Sequence, residues 1–194
     1  MLILASNSPR RKELLEQVHC KFICRPANSK ELSAKDEPNP QKLVMENARL
    51  KATASIDDIA EDDVILGADT VVFFNGEIYG KPKDDIDAFK MLKNLSGKVH
   101  QVYTGIAIYS GKDKKLYQDV ATTDVYMKDL SDEEINEYIK SGEPSDKAGA
   151  YAIQGLASVF VQKINGCYFN VVGLPLNCLY NLLKKADIHL WYQV

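Results

Sequence analysis

The chain has 194 residues, of which 45% are hydrophobic and 26% are charged, and its formal net charge is −3 at neutral pH. A chain of this length buries roughly 70% of its unfolded surface and needs no disulfide or metal to fold, so we expect one domain over residues 1–194. Two lobes around a substrate cleft are an open alternative. The negative charge argues against a general affinity for nucleic acid, but it leaves a single nucleotide as a ligand.

The four cysteines are spaced unlike zinc ligands and predict buried, reduced thiols. Reduced thiols are typical of the cytoplasm, which is the expected location. No apolar run approaches about 18 residues, so no membrane span is expected. The polar residues 6–8 interrupt the first apolar run, so we expect no signal peptide.

In chain order, the first predicted elements are a short buried strand at 2–5 and a helix. Ser8 as N-cap and Pro9 as the first helical residue mark the start of that helix. The segments that follow predict a strand at 21–25, a polar loop at 26–40 and a long helix from Pro40 to Ile59.

Hairpins and amphipathic helices alternate in the remainder. Asn75-Gly76 predicts a type I′ turn, and Ser131 with Glu134 predicts a capping box that opens a helix ended by Gly142. The other predicted elements are a strand at 64–66 that resumes at 71–74 after Gly67-Ala68-Asp69-Thr70, strands at 78–79, 99–109 and 116–127, a helix at 85–95 closed by Gly97, and a last helix from Pro175.

Asn165-Gly166 predicts a second hairpin, between strands at 159–164 and 167–172. With hairpins among its strand–helix units, the chain is expected to have an α/β (α+β) fold. Its centre would be a mixed twisted sheet flanked by helices, not a doubly wound parallel sheet.

A candidate anion site lies between the first strand and the first helix. N–H groups at a helix N-terminus attract anions, the Ser6 and Ser8 hydroxyls add donors, and Arg10 and Arg11 add guanidinium charge. The P-loop pattern is absent. A capped helix with two solvated arginines explains the same residues equally well.

Asp69 follows an apolar strand in Gly67-Ala68-Asp69-Thr70. An acidic residue in that position is a candidate metal ligand or general base. Judged by its local sequence alone, a turn aspartate with a local hydrogen bond is the simpler interpretation.

Four more residues are candidates for the same site. Lys81 lies in a loop next to Pro82, and Lys147 and Gln154 lie in a segment rich in small residues that lets backbone approach a ligand. Glu31, in the polar loop, is a possible second carboxylate. Taken singly, each is explained as well by a solvated loop or a tight connection, but together they have the groups that a magnesium–triphosphate site requires.

Seven motifs in a fixed order extend this interpretation. They are Ser6-Asn7-Ser8-Pro9-Arg10-Arg11, Ala48-Arg49-Leu50-Lys51-Ala52, Gly67-Ala68-Asp69-Thr70-Val71-Val72, Gly80-Lys81-Pro82, Leu95-Ser96-Gly97 with His100, Asp146-Lys147-Ala148-Gly149-Ala150-Tyr151 through Gln154-Gly155, and Asn170-Val171-Val172-Gly173-Leu174-Pro175. From residue 2 to about 185 the chain closely resembles the Maf family of nucleotide pyrophosphatases, which share the fold of inosine triphosphate pyrophosphatases.

The resemblance implies hydrolysis of a nucleoside triphosphate to monophosphate and pyrophosphate with Mg²⁺ or Mn²⁺. Asp69 matches the catalytic proton acceptor, and Glu31 matches a loop carboxylate that would join Asp69 as a metal ligand, although Asn28-Ser29-Lys30 replaces the family's more acidic run. The trio of Arg10, Thr70 and Gln154 resembles the branch that acts on dTTP and UTP and not the branch that prefers 7-methyl-GTP.

The expected mechanism is attack of water on the α-phosphorus with Asp69 as base. The residues expected to hold the triphosphate are Arg11, Lys51, Lys81 and Lys147, with the hydroxyls of Ser6 and Ser8. Gln154 can pair with the O–C–N–H edge of thymine or uracil.

Other functions and assemblies stay open. A nucleotide sensor that regulates cell division through a protein partner is the main alternative, because members of the family are also described as septum-formation inhibitors. A kinase or transferase is disfavoured, since no P-loop or acceptor-binding motif is present. No nucleic acid or membrane partner is expected, and a homodimer is one candidate assembly.

Overall fold

The structure, a computed structural model, describes residues 1–54, 56 and 59–190. Its strands are β1 (Leu2–Leu4), β2 (Phe22–Cys24), β3 (Val64–Phe74), β4 (Glu77–Tyr79), β5 (Val99–Ser110), β6 (Lys115–Met127) and β7 (Val161–Asn165). Its α-helices are α1 (Pro9–Gln17), α2 (Pro40–Thr53), α3 (Asp85–Leu95), α4 (Asp132–Lys140), α5 (Tyr168–Val172) and α6 (Leu176–Lys185). Short 3₁₀ helices cover Glu143–Asp146, Ala148–Ala150 and Leu156–Phe160.

All seven strands form one mixed sheet. Its order is β2-β1-β3-β5-β6-β7, and β4 also pairs with β3. β1 runs parallel to both β2 and β3, whereas the remaining pairs are antiparallel. The mixed α/β architecture predicted from the sequence is therefore confirmed.

β3 changes neighbours part-way along one edge. β1 pairs with Val64–Leu66, and β4 pairs with Val72–Phe74. Among the described strands, residues 67–71 have a partner only on the β5 side. The sheet therefore has an open edge beside Asp69 and Thr70, close to the carboxyl end of β1. The carboxyl ends of parallel strands are where α/β proteins commonly bind ligands.

α2 packs with its backbone directly against this open part of the sheet. A Cβ atom on Gly67 would lie 2.2 Å from the Ala48 carbonyl oxygen, and one on Gly105 would lie 2.4 Å from the Val44 carbonyl oxygen. Both distances are far below van der Waals contact, so any side chain at either glycine would push the helix away. The absence of a side chain at these two glycines therefore allows the close approach of α2 to β3 and β5.

Two large hydrophobic clusters pack around the sheet. One joins β1 and β3 to α1 and α6 through residues such as Leu4, Leu15, Leu66, Leu179 and Leu182. The other joins β5 and β6 to α3 and α4 through residues such as Leu92, Leu95, Val102, Val125 and Ile135. Burying each of these side chains contributes roughly 1.5–3 kcal/mol. Two smaller clusters pack α2 against the sheet through Val44, Ala48 and Ala52.

Most local predictions are confirmed. Asn75 and Gly76 have φ angles of 50° and 83°, as a type I′ turn requires. The Ser131–Glu134 capping box is present. Ser8 is the N-cap residue of α1, but its side chain makes no capping hydrogen bond.

Two predicted elements are wrong. α2 ends at Thr53, and Ile59 lies outside any helix; residues 55, 57 and 58 of the predicted helix lie outside the described residues. The second hairpin does not form, because the predicted strand at 167–172 contains α5 instead.

Tertiary contacts explain the helix at α5. Asn170 is fully buried, and its Nδ2 donates to the Val102 carbonyl (3.0 Å) and to Thr123 Oγ1 (2.8 Å). The Cys167 N–H also donates to Thr123 Oγ1 (3.0 Å). These bonds direct the chain inward across the sheet, so they outweigh the strand preference of Val171 and Val172.

Among the described residues, no helix is long and apolar enough to cross a bilayer.

His100 makes the stability of the protein depend on pH. The side chain is 1% exposed, its Nε2 lies 2.7 Å from the Tyr151 hydroxyl, and burial lowers its pKa from 6.5 to about 4. The unfolded chain takes up a proton near pH 6.5 and the folded chain does not. The stabilisation is therefore complete above pH 6.5 and is lost as pH falls from 6.5 towards 4, by about 2 kcal/mol at pH 5.

Urea unfolding at pH 7.5 and pH 5.0 measures this effect. We expect His100→Gln to lack that part of the pH dependence, because the glutamine amide does not titrate. An equal loss of stability in both proteins between the two pH values would contradict the assignment to His100.

Candidate active site

A cavity opens at the gap between β1 and β4. Its volume is about 790 Å³, within the range of small-molecule sites. All eleven residues that the sequence predicts for the site line it: Ser6, Ser8, Arg10, Arg11, Glu31, Lys51, Asp69, Thr70, Lys81, Lys147 and Gln154. The structure brings them together from six separate segments, while their individual roles stay predictions.

Asp69 is held at both oxygens of its carboxylate. Lys51 Nζ lies 2.9 Å from Oδ1, and Asn47 Nδ2 donates to Oδ2 at 3.0 Å. The side chain is 14% exposed and faces the cavity. The carboxylate therefore has one fixed orientation and remains accessible to a ligand.

Lys51 brings a second carboxylate to Asp69. Its ammonium contacts Asp69 Oδ1 (2.9 Å), Glu31 Oε2 (2.9 Å) and the Ala68 carbonyl (3.2 Å). These three oxygens match the three N–H donors that a lysine has. Lys51 thus bridges two acids, and contact with a phosphate would replace one of these bonds.

The pair of Glu31 and Asp69 suits a magnesium or manganese ion in its chemistry. Both supply hard carboxylate oxygens, and both lie within hydrogen-bond distance of the same ammonium group. No cluster of three or more His, Cys, Asp or Glu residues is found in the part of the chain that the structure describes. Mg²⁺ commonly binds to one or two carboxylates plus substrate phosphates, so the two acids fit that mode and not an all-protein cage.

Arg11 is a buried cation with a rigid set of contacts. Its Nε donates to the Gly173 carbonyl (2.8 Å), Nη1 to Ser6 Oγ (3.1 Å) and Nη2 to Thr70 Oγ1 (3.2 Å). Burial lowers the pKa of the guanidinium, and the nearby charge of Asp69 opposes that shift. The contacts of these three nitrogens are all neutral oxygens, so an anion in the cavity would supply the charge that balances Arg11.

Thr70 supports Arg11 from the side of the sheet. Its hydroxyl lies 2.9 Å from Thr104 Oγ1, which in turn donates to the Asn170 carbonyl at 3.0 Å. The Thr70 hydroxyl is thereby engaged with Arg11 and Thr104. An effect of this residue on substrate choice would act in part through the position of the guanidinium.

Asp146 is a cavity residue that the sequence analysis did not assign to the site. Its carboxylate pairs with Arg10 (Nη1 to Oδ2, 3.3 Å) and with the ammonium of the adjacent Lys147. Burial alone would raise the pKa of Asp146, but the bonds and charges of Lys147 and Arg10 outweigh it and lower the pKa. The ion pairs join α1 to the 143–147 segment at the mouth of the cavity.

Lys81 and Gln154 also line the cavity. Lys81 is exposed, whereas Gln154 is half-buried. The Gly149 N–H donates to the Gly80 carbonyl at 3.0 Å, which links the loop of Lys81 to the segment of Lys147. The charged residues of the lining are five cations and three carboxylates, so the cavity is locally positive in a chain whose net charge is −3. A polyanion is the ligand that this charge favours.

Asn47 is another cavity residue that the sequence analysis did not assign to the site. It lies on α2 at helical spacing from Leu43 and Lys51, on the face where buried residues recur. An asparagine among apolar neighbours was a visible signal, because a buried amide requires hydrogen-bond partners.

Known proteins match the chain along nearly its whole length. The family described as Maf-like protein matches residues 1–186. The chain belongs to the Maf-like family. The family predicted from the seven motifs is therefore confirmed.

Two curated relatives of this Maf-like chain carry the name dTTP/UTP pyrophosphatase. That of Clostridium tetani (strain Massachusetts / E88) is 47% identical over 189 residues, which are 97% of this chain and 98% of the relative. That of Thermoanaerobacter sp. (strain X514) is 48% identical over 190 residues, again 97% and 98% of the two chains.

A solved structure shares the fold. The Staphylococcus aureus Ham1 protein aligns with 95% of the Maf-like chain and 98% of its own, with a TM-score of 0.53 and 17% sequence identity. This likeness supports the mixed α/β architecture and concerns the fold alone.

Proposed function

We propose that this Maf-like chain hydrolyses nucleoside triphosphates, above all dTTP and UTP together with modified pyrimidine triphosphates, to the monophosphate and pyrophosphate. Such an activity would remove unwanted nucleotides from the cellular pool. The observation that carries the proposal is one cavity that is lined by five cations and by Asp69, whose carboxylate is hydrogen-bonded at both oxygens. The name of the curated relatives supports the same reaction.

Phosphate binding is assigned to groups from separate segments. Arg11 would meet the triphosphate with its two remaining N–H donors, Lys81 and Lys147 would approach from the opposite wall, and Ser6 and Ser8 would add hydroxyls. Fixed positive groups aimed at developing charge are commonly the largest catalytic contribution in phosphoryl chemistry.

Asp69 is assigned the proton transfer. A water molecule attacks the α-phosphorus, the bond from that phosphorus to the bridging oxygen breaks, and pyrophosphate leaves. Asp69 accepts the proton that the water loses. Its two anchors matter because a base must lie within hydrogen-bond reach of the attacking water.

Glu31 and Asp69 would hold a Mg²⁺ or Mn²⁺ ion together with phosphate oxygens. When bound, such an ion neutralises charge on the triphosphate and orients it. Lys51 keeps the two carboxylates adjacent, so both acids are in place for this task.

Base recognition is assigned to Gln154, with Arg10 and Thr70 as the other two positions of the specificity trio. An amide side chain has one acceptor oxygen and N–H donors, which complement the donor and acceptor of thymine or uracil. A group that reads a polar edge can discriminate by orders of magnitude, since the wrong base leaves it unpaired.

Residues of both large hydrophobic clusters line the cavity, Val172 from one and Val72 and Val102 from the other, which supports a single domain with two lobes and the substrate cleft between them. All four cysteines are free thiols, which supports a cytoplasmic location. A small-molecule triphosphate is the partner we assign to the cleft.

Pyrophosphate release from a panel of triphosphates with Mg²⁺ or Mn²⁺ tests the function. We expect dTTP and UTP to be cleaved fastest, with one pyrophosphate for each monophosphate. The same panel with Gln154→Glu is expected to reduce the preference for dTTP and UTP over other bases at least tenfold, because a carboxylate cannot donate to the carbonyl of the base. Orthophosphate as the product would place the attack at the γ-phosphorus and contradict the proposal.

A further inference from the structure

Asn47 is a buried amide at the junction of three parts of the active site. It lies in the middle of α2 and is 3% exposed, among the apolar residues Val44 and Ala48. A buried amide is costly unless it is hydrogen-bonded. Its partners therefore indicate what it does.

Two of those partners belong to the backbone of the loop that carries Glu31. The Leu32 N–H donates to Asn47 Oδ1 at 2.7 Å, and Asn47 Nδ2 donates to the Leu32 carbonyl at 3.1 Å. The side-chain amide thus pairs with both polar groups of one loop residue. The Glu31 carboxylate, one residue earlier, is held by Lys51 from the same helix.

The third partner is Asp69. Asn47 Nδ2 lies 3.0 Å from Oδ2, while Lys51 Nζ lies 2.9 Å from Oδ1. Asn47 and Lys51 are four residues apart on α2 and project from the same helix face. Only one orientation of the amide places an acceptor on the Leu32 N–H and donors on the other two oxygens, so the side chain cannot flip without losing contacts.

We propose that Asn47 is a positioning residue for the hydrolysis, which orients the Asp69 carboxylate and fastens the Glu31 loop to α2 at the same time. The proposal rests on the proposed function, in which Asp69 is the base. Its amide does not reach the substrate but acts through Asp69 and Leu32. A single side chain thereby couples the position of the loop to the orientation of the base.

Asn47→Leu removes all three hydrogen bonds and keeps a side chain of similar size. We expect kcat for dTTP to fall about 100-fold, as small misplacements of a catalytic group do. KM is expected to change less than about threefold, because the phosphate-binding groups are untouched.

Gln118→Leu is the matched control. Gln118 Nε2 donates to the Met45 carbonyl of the same helix at 2.8 Å, and Gln118 is not part of the cavity lining. Its kcat should stay within about twofold of the natural protein. A large loss in this variant would mean that any disturbance of α2 lowers activity, and the specific role of Asn47 would be overturned.

A double-mutant cycle with Asp69→Asn tests whether Asn47 acts through the base. We expect Asn47→Leu to lower the residual turnover of Asp69→Asn much less than it lowers that of the natural protein, because only the anchoring of the Glu31 loop is then left to lose. An undiminished loss in that background would show that Asn47 acts elsewhere and would overturn the proposal. The urea midpoints of the same four proteins should also be non-additive.

Limited trypsin digestion measures the loop anchor without reference to activity. Lys30 and Lys35 are exposed cleavage sites in the loop, and cleavage after either should be at least fivefold faster in Asn47→Leu than in the natural protein or Gln118→Leu. Unchanged cleavage would overturn the anchoring role.

Asn47→Asp affects the two tasks unequally, since it keeps an acceptor for the Leu32 N–H and loses the donors to Asp69 and to the Leu32 carbonyl. We expect a large loss of kcat with slower loop cleavage than in Asn47→Leu. If Asn47→Leu failed to fold, this isosteric variant would decide between the outcomes. If the natural protein released no pyrophosphate from any triphosphate, the proposed function would fail, whereas the digestion rates and the urea midpoints would still decide the role of Asn47.

Discussion

Asp69→Asn is expected to lower kcat about 1,000-fold while the protein still binds dTTP. A positioned general base commonly contributes about 10²- to 10⁴-fold, and an amide cannot accept the proton from water. The change also removes a negative charge from the cavity, so the Kd for the triphosphate measured without a divalent metal should stay equal or decrease. Stopped-flow or steady-state measurement of pyrophosphate release gives kcat, and calorimetric titration gives Kd.

Asp124→Asn is the control for this prediction. Asp124 also accepts an amide hydrogen bond, from Gln101 Nε2 at 3.1 Å, but it is not part of the cavity lining. Its turnover should match the natural protein. Turnover of Asp69→Asn within tenfold of the natural protein would exclude Asp69 as the base.

Arg11→Lys is expected to lower kcat/KM for dTTP about 100-fold although the charge is kept. Arg11 reaches Gly173, Ser6 and Thr70 with three different nitrogens, and a lysine has a single nitrogen that cannot take all three directions. The ammonium would also lose the planar fork that binds phosphate in a bidentate manner.

The thermal shift with pyrophosphate provides a readout that is independent of turnover. Pyrophosphate should raise the Tm of the natural protein and raise that of Arg11→Lys much less. Arg49→Lys is the matched control, because Arg49 makes a two-pronged contact with Glu46 and does not line the cavity. An Arg11→Lys protein that keeps both its kcat/KM and its pyrophosphate shift would show that a charge alone is sufficient at this position.

Local sequence signals predicted the strands, the capped helices and the first hairpin, because these depend on residues that are near each other in the chain. The segment of α5 shows the limit of that logic. Its valines favour a strand, but Asn170 is drawn into the sheet by Val102 and Thr123, which are about 50 to 70 residues away. No local pattern contains that information.

The sequence allowed us to predict which residues form the site, but not the hydrogen bonds and ion pairs between them. The motifs predicted most of the side chains that meet at the cavity, and the family resemblance added Glu31 from a polar loop. They did not predict that Lys51 would bridge two carboxylates or that Asn47 would hold Asp69, since both depend on how closely α2 approaches β3. That approach depends on Gly67 and Gly105, whose importance becomes visible only when the helix is in place.

The backbone contact between α2 and the sheet separates the geometry of the reacting carboxylate from the shape of the cavity walls. Asn47 and Lys51 lie on α2, and Asp69 lies on β3. Where the helix backbone contacts the strand glycines, no side chain lies between them that could change its rotamer, so the distance between helix and strand is fixed. Lys81 and Gln154 belong to loop segments, which can shift to suit a ligand more readily than packed helices and strands can. For the proposed reaction, triphosphates of different shape can therefore displace the walls while the reacting carboxylate keeps its geometry. Substitutions in the cavity walls alone can then change the range of substrates, while the catalysed reaction stays the same.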